Sequence, residues 1–103
     1  GLGPIPAVRK IMAKHSLTMA DFDGIELNEA FAVQAIACMR ELQCDIEKTN
    51  VLGSGISLGH PIGCTGARQM VSGMNLMKRK DYQTGLISMC IGGGMGMAMI
   101  IER

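Results

Sequence analysis

In the first sixteen residues Val8, Ile11, Met12 and His15 recur at i, i+3, i+4 and i+7, while Arg9, Lys10 and Lys14 fall outside that stripe. The spacing predicts an amphipathic helix over residues 7–16, with Pro4 and Pro6 leading into its first turn. Residues 18–23 read as a connecting turn or a short helical one, with Asp21 and Asp23 as candidate caps, and residues 24–27 as a short strand. Residues 29–42 have the length and composition of a helix, yet Phe31, Val33, Ile36 and Met39 are spread so that scarcely a polar side remains. A helix apolar all round is expected to be buried on more than one face.

After a polar connection at 45–50, the stretch 51–64 carries glycines at 53, 55, 59 and 63, and Gly66 follows. Glycine this dense marks backbone that takes positive φ or lets another group come close. Ala67, Met70, Val71, Met74 and Met77 then form a second helical stripe, and Lys78, Arg79 and Lys80 suit the C-terminus of that helix. Residues 85–91 and 95–102 are mostly apolar and are joined by Gly92, Gly93 and Gly94, which predicts an antiparallel hairpin. The order helix, strand, helix, glycine-rich loop, helix, strand, strand is α/β.

Length adds a conflict. At 103 residues the chain is about one domain, with too few elements to cover the 29–42 helix from both sides and also build a sheet. Some of that cover is expected from another chain or an absent segment. A start at Gly1 without an initiator Met fits a processed product or a piece of something longer. Hydrophobic residues at 48% against 18% charged residues speak against disorder. A formal charge of +1 gives no basic field for nucleic acid, and Phe22, Phe31 and Tyr82 are too few aromatics for a base-stacking surface. No apolar run is long enough to span a membrane, and the start does not read as a secretory signal. The four cysteines include no C-x-x-C pair and no histidine at metal-ligand spacing, so neither a metal site nor a redox dithiol is expected. Cys38, Cys44 and Cys64 read as small buried hydrophobes. Free thiols fit an intracellular chain; Arg103 does not close a peroxisomal S-K-L-type ending, which leaves the cytoplasm as the default.

Three segments set polar or reactive side chains in apolar, glycine-rich surroundings. Asn28-Glu29-Ala30-Phe31 alone suits a helix start, with Asn28 as N-cap and Glu29 in the first turn. His60, between Gly59 and Pro61, projects from a rigid loop, where a lone histidine is more often a surface residue than a catalyst. His15, on a basic helix, reads as structural. Cys90 ends an apolar strand directly before three glycines, whose N–H groups can converge on an oxyanion. A nucleotide reading is weaker: Gly53-Ser54-Gly55 does not continue as G-x-G-x-x-G, and no P-loop pattern is present.

Taken in order, these segments resemble the C-terminal end of the thiolases, enzymes that make and cleave 3-oxoacyl-CoA. Asn28-Glu29-Ala30-Phe31-Ala32 is similar to the family's N-E-A-F-A segment, and residues 55–66 resemble its G-x-x-x-x-G-H-P-x-G-x-[ST]-G loop. Cys90-Ile91-Gly92-Gly93-Gly94-Met95-Gly96 resembles its C-x-G-G-G-x-G motif, and the likeness runs from Gly3 to Arg103. It implies a fold of two similar βαβαβαββ halves stacked in layers, of which this chain is part of the C-terminal one, with 29–42 as a middle-layer helix. It also implies that His60 activates a nucleophile and, with a water held by Asn28, stabilises a thioester oxyanion. Cys90 is implied as the acid/base for the α-proton, the Gly92 N–H as part of a second oxyanion hole, and Ala30 and Phe31 as lining of the pantetheine tunnel. A coenzyme A thioester is then the substrate, no cofactor is needed, and an assembly of at least two copies is usual.

The family's nucleophilic cysteine belongs to an N-terminal half that these residues do not include. The isolated chain is therefore expected to be inactive and to need that half, in the same or a separate chain. Residues 64–66 and 88–91 look more like the degradative, broad-chain branch, whereas Gly92-Gly93-Gly94 also suits the acetoacetyl-CoA branch. The alternative from another class is a non-catalytic thiolase-like module that binds a partner through its exposed apolar helix.

Overall fold

The computed structural model describes residues 1–103 throughout. Helix α1 (Pro4–His15) leads through a single 3-10 turn into strand β1 (Gly24–Leu27), followed by helix α2 (Ala32–Leu42) and a second 3-10 turn. A one-turn helix α3 (Gly55–Leu58) and the long helix α4 (Thr65–Lys80) precede strands β2 (Thr84–Ile91) and β3 (Met95–Glu102). The sheet order is β1-β2-β3. β1 and β2 run parallel, with Leu27 opposite Ser88, while β2 and β3 form the expected hairpin with Ile91 opposite Met95. Gly93 and Gly94 both sit at φ 79°, so glycine suits the turn that closes the hairpin. No helix is long and apolar enough to cross a membrane.

One face of the sheet carries the core. Ile25, Leu27 and Leu86 pack there with Val8 of α1 and with Cys38 and Leu42 of α2, and Phe22 completes the cluster. α1 starts at Pro4 rather than residue 7, because proline at the first helical positions supplies the required φ and lacks only an N–H that would be unpaired there. Its N-terminus is seated on β3 through two glycines: a Cβ on Gly96 would overlap the backbone of Gly3, and one on Gly3 would overlap the Met95 carbonyl. Gly96→Ala is accordingly expected to lower stability by about 1–3 kcal/mol, read as a lower urea midpoint at unchanged slope. An unchanged midpoint would mean that this close approach is not needed.

One packing expectation holds and one is corrected: this chain covers α2 from one side only, as its length implied, and the stripe of α4 is not its sheet-facing side. α2 buries Gln34, Ala35, Cys38 and Leu42 on one face only, and Val33 and Ile36 are exposed, so within this chain it lies beside α1 rather than between two layers. On the opposite face of the sheet, α4 buries Thr65, Gln69, Gly73, Leu76 and Met77. Of the predicted apolar stripe only Met77 is buried; Ala67, Val71 and Met74 face outward. The side that meets the sheet is chosen by fit. Gly73 allows close approach, since even a Cβ there would touch Ile101 and Ile87 at 3.5 Å, and Gln69 ties to backbone carbonyls at the end of β1 and β2. Both helical layers thus turn apolar side chains away from the only sheet they have.

Candidate functional site

β1 ends at Leu27, and the chain does not turn into helix at once. The Asn28 N–H donates to the Ser88 carbonyl at 3.0 Å, which carries the parallel pairing one residue past the strand. On the free edge of β1, the Asn50 carboxamide takes the Leu27 N–H at 2.9 Å and donates to the Leu27 carbonyl at 2.8 Å. The Ser54 hydroxyl reaches the same carbonyl and accepts from the Glu29 N–H. Held from both sides, residues 28–31 stay non-helical and α2 begins at Ala32, with Phe31 rather than Asn28 as its cap. The helix-cap reading of Asn28 is therefore overturned. Asp23 is no helix cap either: its carboxylate accepts from the Gln83 and Thr84 N–H groups, bonds that hold its pKa below the usual value.

The glycine-rich loop folds over this strand end. Gly55 packs so closely that a Cβ would overlap the Glu29 carbonyl and stand 3.1 Å from Asn28 Oδ1. Gly59, at φ 108°, then turns the chain so that His60 points back at Asn28. Asn28 Nδ2 lies 3.3 Å from His60 Nδ1, and Thr65 Oγ1 lies 2.6 Å from the same ring nitrogen. Thr65 is fully buried and its single hydroxyl proton has an acceptor in the Pro61 carbonyl at 2.9 Å. His60 Nδ1–H donating to Thr65 Oγ1 with Thr65 donating to Pro61 satisfies the ring N–H and the hydroxyl, and it turns the buried Asn28 amide nitrogen toward a second donor rather than an acceptor. This arrangement puts the proton on Nδ1 and leaves the His60 Nε2 lone pair free.

Cys90 joins them by strand position, two residues beyond Ser88 on β2 and half-buried. The hairpin turn follows it, and a Cβ at Gly92 or Gly94 would meet nothing, so the turn is open to an approaching group. Ala30 is half-buried, and the Phe31 ring is 70% exposed on the same short segment as Asn28. Two of the three segments singled out in the sequence, that of Asn28 and that of His60, therefore meet at the end of β1, and the Cys90 segment follows just past it on β2. His15 is exposed and remote from it in the fold, on α1. Cys38 is fully buried and Cys44 half-buried, and burial raises both thiols, that of Cys44 to about 11. Cys64 is exposed at the start of α4, contrary to its expected burial, because the loop before it stands clear of the sheet. No group of three or more His, Cys, Asp or Glu side chains is placed to hold a metal.

Beneath the site are residues that sequence patterns did not mark. Asn50, Ser54, Arg68 and Gln69 act on partners many positions away, and no local motif announces such bonds. Glu26 is 3% exposed and neither carboxylate oxygen has a partner. Burial pushes its carboxyl up to about 7, Arg68 pulls back against it, and Glu29 adds to the rise. Since the folded value exceeds the unfolded one near 4.5, the folded chain binds more protons between the two. Stability from this group is full below about 4.5 and is lost as pH rises through about 7. Unfolding free energies on either side of that window are expected to differ by roughly 3 kcal/mol on account of Glu26, and Glu26→Gln should flatten the difference.

Comparison with known proteins places this arrangement. The family model described as thiolase, C-terminal domain, matches residues 1–103. The chain belongs to the thiolases. It is 51% identical over its whole length to 3-ketoacyl-CoA thiolase of Shewanella denitrificans and 50% identical to acetyl-CoA acetyltransferase of Escherichia coli. The crystal structure of the Bacillus anthracis acetyl-CoA acetyltransferase superposes on 98% of the chain with a TM-score of 0.95 at 51% identity. The thiolase fold is therefore shown, for a limited part: the chain spans 27% and 26% of the first two relatives and 26% of the third. Relatives of both names match almost equally, so identity does not choose between the branches.

Proposed function

We propose that this segment supplies the acid/base and oxyanion-stabilising groups of a thiolase acting on 3-oxoacyl-CoA, by Claisen condensation and its thiolytic reverse. The observation that carries the reading is the meeting of Asn28 and His60 at the end of β1, with Cys90 just beyond it on the neighbouring strand and the open glycine turn following. Removing a proton α to a thioester needs a base beside an acidic C–H, a role that Cys90 would fill. The charge that develops on the thioester oxygen needs aimed donors, which His60 and a water on the Asn28 amide would provide. The Gly92 N–H would serve a second oxyanion, and Ala30 with Phe31 would line the pantetheine arm. Coenzyme A enters as part of the substrate, and this chemistry calls for no resident cofactor.

The attacking thiol is assigned to the remaining three-quarters of a thiolase, on the same or a partner chain. That part would also cover the outward apolar faces of α2 and α4, where Val33 is 78% and Val71 60% exposed. The test is a chimera in which residues 1–103 replace the matching part of the Escherichia coli acetyl-CoA acetyltransferase. Thiolysis of acetoacetyl-CoA by the chimera, with none from the 103-residue chain alone, is the expected result. A folded chimera that binds but never turns over would favour a non-catalytic partner-binding module instead. Turnover by the isolated chain would overturn the assignment of the nucleophile.

A further inference from the structure

Arg68, on the first turns of α4, is tied to the site by an atom that the reading above does not use. Its Nη2 donates to Asn28 Oδ1 at 3.3 Å across forty positions of sequence. Nε and Nη1 of the same guanidinium are buried without partners, and the buried Glu26 carboxylate, likewise unpartnered, lies two residues before Asn28 on β1. Two of the guanidinium nitrogens are thus shielded from water, and the third has its bond directed at a fully buried carboxamide.

That bond decides which way the carboxamide faces. A guanidinium has donors only, so the atom turned to Arg68 has to be the oxygen, and the nitrogen is left facing His60. Without Arg68, the opposite orientation becomes favourable, because Oδ1 could then accept from the His60 Nδ1–H. The flipped amide would present an acceptor where the site needs a donor. We propose that Arg68 is a positioning residue that holds the Asn28 amide with Oδ1 toward the guanidinium and its N–H groups toward His60, on the side where the oxyanion is proposed to form.

The inference rests on the reading of Asn28 as an oxyanion donor, and a double-mutant cycle in the chimera separates the two. Arg68→Met is expected to lower kcat on the order of tenfold to a hundredfold, with Arg68→Lys recovering part of the loss by restoring a cationic donor. In the Asn28→Ala background, Arg68→Met should cost nothing further. Losses that multiply would show that Arg68 acts through something other than Asn28 and would overturn the proposal. If Asn28→Ala is as fast as the parent, the oxyanion reading fails, while a crystal structure of the Arg68→Met chimera still decides the positioning role. Asn28 should turn or become disordered in it, and an Asn28 amide with unchanged orientation and partners would end the inference whatever the activity.

Discussion

Cys90→Ala in the chimera is expected to lower kcat for acetoacetyl-CoA thiolysis by about two to four orders of magnitude, the range of a positioned acid or base. The KM should move far less, because the thiol acts on a proton rather than on the coenzyme A arm. Structure gives the reason for so local an effect. Cys90 is half-buried at the end of β2, with the backbone on both sides fixed: Ser88 by Asn28, and the following turn by pairing of Ile91 with Met95. Removing one sulfur atom therefore leaves the hairpin and the neighbouring strand unchanged, and the melting temperature should hold. Cys90→Ser tests the chemistry more narrowly. A hydroxyl is of similar size but a much weaker acid than a thiol, so its activity should lie nearer that of Cys90→Ala than that of the parent. A serine variant with near-parental kcat would remove Cys90 from the proton transfer.

The elements most legible in the sequence were those whose cause is local. Gly92, Gly93 and Gly94 between two apolar runs announce the β2–β3 hairpin because a tight turn needs residues that accept positive φ. The stripe of α1 is likewise a property of its own spacing. The α4 register was not legible in the same way. Most of its predicted stripe is left outward, whereas its seat on the sheet is made by Leu76, Met77 and a glutamine that finds two backbone carbonyls. A pattern of hydrophobic spacing describes everything a helix will bury, including what it buries against parts lying outside these residues, and does not say which face meets which neighbour.

The candidate site divides along the same line. His60, Cys90 and the glycines stood out by their neighbours, but the positions between which they work depend on long-range bonds. Asn28 looked like a helix cap because Asn before a helical run usually is one; the Ser88 carbonyl, sixty residues on, keeps it extended instead. Thr65 stood only as the Ser/Thr position of the loop motif, and Arg68 looked like an ordinary member of a helix. Only the return of that helix to the end of β1 turns them into the groups that set the orientation of His60 and Asn28.

His60→Ala should then be the most damaging single change in the chimera, approaching a loss of about four orders of magnitude in kcat/KM. The size follows from the two uses proposed for one ring: as the base that activates the nucleophile, and as a donor to the thioester oxygen once it carries the proton. Thr65→Val shows whether the Nδ1 network matters to both. Valine matches threonine in shape and fills the same buried space, but it leaves the His60 Nδ1–H and the Pro61 carbonyl without their shared partner. Nδ1 is then free to lose its proton to Nε2, the tautomer that cannot accept one there. A fall of about tenfold to a hundredfold in kcat with little change in KM is expected. Because the packing volume is preserved, a loss of that kind would come from the orientation and tautomer of the ring. Parental activity in Thr65→Val would instead mean that His60 is held by the Gly59-Pro61 backbone alone.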